Sequence, residues 1–264
     1  MSKFAKKART RRQVSAIAAV TFQELIREKI LWSSFLFGLL CVALAYLVSR
    51  LSFADNARIA LDFGMAAISL VGGLISVVMG AVLVAKEVHN RTHYLVLTKP
   101  IWRWQFVLGR VAGLLGVLAV NAALMSAILV VVFLMSGGRL ETSFFKCLAL
   151  QVAEFGVLSA VACVFSVFTT STLAAVFASG IWVAGHAMAD IKILADKTEP
   201  YWMRPLLKTV SEIFPDLTRF DVKAEVSHSL PITWGYFAGT AAYGLAYMVF
   251  ALAAACLIFS RKEL

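Results

Sequence analysis

Charge is scarce in this chain. Of its 264 residues only 15% are Asp, Glu, Lys or Arg while 61% are hydrophobic, a balance that excludes an ordinary soluble domain, whose surface needs far more polar cover. Cysteine is sparse as well, with Cys41, Cys147, Cys163 and Cys256 the only four. All stand inside apolar runs, with no C-x-x-C pair and no histidine spaced to complete a metal set. They read as small packing residues and indicate neither a disulfide framework nor a metal centre. Enzyme signatures are missing too. There is no H-E-x-x-H, and Phe177-Ala178-Ser179-Gly180 lacks the leading glycine of a serine nucleophile elbow. No G-x-x-x-x-G-K-[ST] occurs, so the chain has no P-loop of its own to cradle nucleotide phosphates. No catalytic residue, metal or bound cofactor is expected here, and the two halves show no evident repeat.

What is present is a series of apolar runs near twenty residues long, the mark of a multispanning membrane protein. The formal charge of +10 comes from cationic residues that flank those runs. It therefore points to lipid headgroups and the positive-inside bias rather than to nucleic acid. Met1 to Gln13 carries Lys3, Lys6, Lys7, Arg9, Arg11 and Arg12 with no acid, which places the N-terminus in the cytoplasm. From 14 to 30, Val14, Ile17, Ala18, Phe22, Leu25 and Ile26 alternate at helical spacing with Gln13, Gln23, Glu24, Arg27 and Glu28. This predicts an amphipathic elbow helix lying in the interface. Six spans follow, at 30–48, 63–85, 106–135, 144–168, 173–189 and 232–260. Arg50, Asp55, Asn56, Arg58 and Asp62 make the first outer turn. Arg110 is placed to snorkel to headgroups. The segment 191–230 has mixed charge and lies outside, with Trp202, Leu206, Val210 and Ile213 at helical spacing before Pro215 as an interfacial or re-entrant helix. Arg261 and Lys262 keep the C-terminus in the cytoplasm. The expectation is a single all-α transmembrane domain over 1–264.

The stretch Lys86 to Arg110, KEVHNRTHYLVLTKPIWRWQFVLGR, is the longest polar interruption between two apolar runs in the first half. Glu87 to Leu97 tolerates helix, Pro100 disfavours it at Lys99, and Trp102 and Trp104 begin the next apolar run. This predicts a cytoplasmic hairpin over 86–105. From Glu87 to Gly113 the sequence resembles the membrane (permease) subunits of type-2 ATP-binding-cassette (ABC) exporters, departing from them at His89 and Arg91, where such chains often carry a second acid and a glycine. The resemblance implies that the hairpin holds a coupling helix pressed into a separate ATPase. The ATPase contacts would be Glu87, Val88, Arg91, Thr92, Tyr94, Leu95, Lys99, Pro100 and Arg103. It further implies two membrane subunits, a second copy of this chain or a close relative, with two P-loop ATPase subunits that bind ATP and Mg2+. The setting would be a bacterial cytoplasmic (inner) membrane. No substrate is selected by it.

Glu154 is the one acid expected at membrane depth, and such a group is a functional candidate because leaving it unpaired is costly. With Gly72 and Gly73, which let helices approach closely, it marks a substrate path or a dimer interface. The plainer alternative is a protonated or locally hydrogen-bonded carboxyl near the outer boundary. His186 and Asp190, four apart at a helix end, suggest a cap or headgroup contact. Trp102, Trp104, Trp202 and Trp234 stand at apolar boundaries as belt anchors. Gly109/Gly113 and Gly235/Gly239 signal packing without naming a partner. Two other classes remain: a secondary transporter, for which only Glu154 offers a coupling group, and a membrane scaffold without transport.

Overall fold

A computed structural model of the chain describes residues 3–27, 36, 39–40, 43, 47, 56–90, 103–138, 140–197 and 214–261. Those residues form helices and turns, with no strand among them. In order they are α1 (Lys3–Arg27), α2 (Asn56–Asn90), α3 (Arg103–Met135), α4 (Thr142–Phe168), α5 (Ser171–His186) and α6 (Met188–Lys197). A 3-10 turn (Leu217–Phe220), α7 (Lys223–Ser227) and α8 (Trp234–Arg261) complete the order. The two described prolines, Pro215 and Pro231, fall outside these helices, which lets the long runs keep their hydrogen bonds.

Four helices among the described residues are long and apolar enough to cross a membrane: Ala57–Leu83 of α2, Trp104–Met135 of α3, Thr142–Phe168 of α4 and Trp234–Phe259 of α8. The third, fourth and sixth expected spans thus correspond closely to α3, α4 and α8. The second begins earlier than expected, at Asn56. Arg58 and Asp62, expected in a turn, instead occupy the open side of its first two turns, and Arg58 Nε donates to Ser227 O at 3.0 Å. The fifth is not one straight helix over 173–189. It stops at His186 and resumes at Met188, bent by 56°. The Ala187 N–H turns back to Ala184 O at 3.0 Å, a tightened final turn of the kind that closes helices. Of the first expected span, only Leu36, Leu39, Leu40, Ala43 and Leu47 are described. They are helical and exposed, with spacing that sets them on one face.

The expected elbow starts further back, at Lys3, and its packing is not that of a helix lying across span ends. Ile17 and the Val14 carbonyl meet Gly109, Thr21 and the Ala18 carbonyl meet Gly113, and Phe22 meets Gly116. Contacts advance together along both helices, so α1 follows α3. Arg110 donates to Glu24 Oε2 at 2.6 Å and stacks over Phe106.

α4 is the centre, packed by α2, α3, α5 and α8. The chain alternates direction through α2, α3, α4 and α5, which puts the end of α2 and the start of α3 at one end of the bundle and the turn between α3 and α4 at the other. At that far end the segment after Pro215 folds inward. Leu217 packs on Gly185 of α5, and Phe220 on Gly244 of α8, both side chains fully buried.

Candidate functional site

Gln151 and Glu154 lie three apart on α4, one above the other on the same face. Both are buried, and both Gln151 Oε1 and Glu154 Oε1 lack a hydrogen-bond partner. Gln151 Nε2 donates to Met65 O of α2 at 3.3 Å. Glu154 faces the end of α5, with His186 Nε2 3.5 Å from Oε1. The other ring nitrogen, His186 Nδ1, stands 3.1 Å from the Trp182 carbonyl oxygen, and the two rings meet edge to face at 6.3 Å. The Trp182 indole lies close to the same carboxyl, but its Nε1 falls short of hydrogen-bond geometry. The Lys223–Asp221 ion pair, 3.3 Å long, acts on Glu154 from the inward-folded segment.

Gly72 and Gly73 of α2 close the site from the third side. A Cβ on Gly72 would stand inside the Phe155 ring, and one on Gly73 inside the Trp182 ring. The structure therefore brings Glu154, Gly72 and Gly73 together, and the two glycines are covered by side chains of their own chain. His186 pairs with Glu154 rather than with Asp190, which sits beyond the break and is exposed. Trp182 and Gln151 were not singled out by sequence pattern, since neither differs from a packing residue until α2 and α5 are placed against α4.

The inward-folded segment is anchored on three sides. Asp216 accepts from Lys192 of α6, from Arg219 Nε at 3.3 Å and from Thr218 Oγ1 at 2.5 Å, while its own N–H donates to Tyr243 Oη at 2.9 Å. Burial would push this carboxyl up, but the hydrogen bonds from Lys192 and Thr218, the Lys192 charge and Arg219 outweigh it and hold Asp216 below its ordinary value. Arg58 ties Ser227 to α2 across the wall of a cavity of about 300 Å3. Ser143 accepts from the Ile232 N–H at 3.3 Å, and Lys146 donates to Ile232 O at 2.5 Å while lying over the Trp234 ring. Trp234 is thus partnered, though 70% exposed.

Of the expected coupling residues, Glu87 and Val88 fall in the last turn of α2, and Arg103 opens α3. Arg91, Thr92, Tyr94, Leu95, Lys99 and Pro100 lie outside the described residues, as do Trp102, Trp202 and the 202–213 helix. A Cβ added at Gly235 or Gly239 would meet no neighbouring described atom within 4 Å. Among the described residues no three His, Cys, Asp or Glu side chains gather as a metal site. Neither a protein-family model nor a curated protein matches the sequence.

Proposed function

We propose that this chain is the permease subunit of a type-2 ABC exporter. Two copies, or one copy with a close relative, would form a substrate path through a bacterial cytoplasmic membrane, with both termini and the 86–105 hairpin inside. Two separate P-loop ATPases carrying ATP and Mg2+ would drive it. The observation that carries this reading is the continuity of α2. One helix runs unbroken from Gly72 and Gly73, beside Glu154, to Glu87 and Val88 at the hairpin. The 18 residues from Gly73 to Asn90 span about 25 Å at a rise of ~1.5 Å per residue step. A push on the hairpin therefore reaches Phe155 and Trp182 without a joint in between. Glu87, Arg91 and Thr92 supply the polar contacts with the ATPase, Val88 and Leu95 part of the apolar side, Tyr94 bridges both, and Lys99, Pro100 and Arg103 shape the exit.

Native mass measurement of the complex isolated through this chain tests the reading. The expected particle holds two six-span subunits and two P-loop ATPases. Isolation of the chain from its own membrane with no nucleotide-binding subunit would count against it. One observation favours a second reading, an ion-coupled carrier: the broken α5–α6 pair lies beside a buried carboxyl, the arrangement in which such carriers hold their coupling ions. Transport that survives removal of every nucleotide would select that alternative.

A further inference from the structure

The arrangement of Glu154 and His186 fixes more than proximity. Nδ1 of His186 faces a backbone carbonyl, which only accepts, so the ring carries a proton on Nδ1. In a neutral ring Nε2 then presents a lone pair to Glu154 Oε1, 3.5 Å away. If the carboxyl were also ionised, two acceptors would confront each other and the buried Oε1 would stand without a donor, since neither Trp182 nor Gln151 completes a hydrogen bond to it. If both groups were protonated, the ring would be a cation beside an uncharged acid, with no anion of its own. One proton between Oε1 and Nε2 satisfies both atoms.

We propose that Glu154 and His186 form a single-proton binding site within the bundle, at the joint between α5 and α6. The proton moves between the two atoms by breaking the O–H bond as the N–H bond forms, and the net charge of the pair does not change. Titratable groups on the elements around α4 include Asp216, Asp221, Lys223 and Glu225 in the inward-folded segment, Arg58 and Asp62 on α2, Asp190 and Lys192 on α6, Cys147 and Lys146 on α4 itself, and Tyr243 and Tyr247 on α8. Lys223 and Asp221 are themselves an ion pair of opposite charges, 3.3 Å long, and beside the site α2 places Gly72, Gly73 and Ser76, whose hydroxyl donates to Gly72 O at 2.6 Å. Access is through His186, whose side chain is 30% exposed against 2% for Glu154. His186 is also the last residue of α5, so a change in the bend carries Nε2 away from Oε1 and ties the proton to the joint. The proposal stands whichever motor drives the chain.

The test counts protons without relying on transport. The full chain in lipid nanodiscs is labelled with carboxyl-13C glutamate for infrared spectroscopy and with 15N histidine for NMR, both at neutral pH. Glu154 is the only buried glutamate among the described residues, which identifies its band, and Glu154→Gln and His186→Gln confirm the assignments. The expected result is one proton per pair: an acid carbonyl with a neutral Nδ1-protonated ring, or a carboxylate with a doubly protonated ring. A carboxylate beside a neutral ring, or an acid beside a doubly protonated ring, overturns the proposal. Because the wild-type chain gives both readings, failure of a variant to fold leaves the test intact.

Discussion

At Asp216, a single carboxyl holds together α6, the 3-10 turn and α8. Its folded-state value lies below the ordinary 3.8, so its stabilising contribution is complete above that value and is lost as the pH falls through the lower, folded one. Asp216→Asn removes the ion pairs with Lys192 and Arg219. With both partners about half exposed, the expected cost is on the order of 1–2 kcal/mol. Amide exchange over residues 214–227 should accelerate in the variant, and the wild-type segment should loosen in the same way in acid below that range. Equal protection in the two chains at neutral pH would show that Asp216 is not the anchor. Glu154 was legible in the sequence because an acid in an apolar run is conspicuous. Its partner was not: His186 has Asp190 four residues on, and local spacing pairs them, whereas the break at Ala187 turns Asp190 away and leaves the ring facing α4. Trp182 carried no signal, because an indole in a span reads as packing until the Gly73 surface is placed against it.

Among the elements, α3, α4 and α8 were legible almost to the residue, since each is an apolar run bounded by charge, proline or, after Phe168, a run of threonine and serine. The α5 break was not, because no proline or glycine pair stands at Ala187. Beside the bend Leu217 is seated on Gly185, a contact between segments thirty-two residues apart in the chain. The direction of α1 was equally hidden: its periodicity shows one apolar face, and only the small residues of α3 decide where that face goes. Gly113 tests this packing most sharply, because a Cβ there would stand 2.7 Å from the Ala18 carbonyl oxygen, a backbone atom that cannot rotate aside. Gly113→Leu should undock α1 at a cost of ~1–3 kcal/mol, raising amide exchange over residues 14–25 and separating Glu24 from Arg110, while α3 remains inserted. Unchanged protection of α1 would mean that the helix is held by something other than this surface.

For the whole molecule, α2 carries Gly72 and Gly73 midway along and Glu87 and Val88 in its last turn, so one helix reaches both regions singled out by sequence. Both stretches belong to one unbroken helix, and the proposed exporter depends on force passing along it. Half-desolvated, charge-assisted contacts of the kind Glu87, Arg91 and Thr92 would make are worth about 1–3 kcal/mol each, enough to set the coupling without affecting insertion. The decisive measurement is ATP hydrolysis by the reconstituted complex carrying Glu87→Ala, Arg91→Glu and Thr92→Ala together, with the amount of bound ATPase measured alongside. The account predicts normal insertion, ATPase subunits still bound, and a fall in hydrolysis of roughly tenfold or more, since a tenfold change needs only ~1.4 kcal/mol of lost contact. Hydrolysis at the wild-type rate with the ATPase still in place would contradict it.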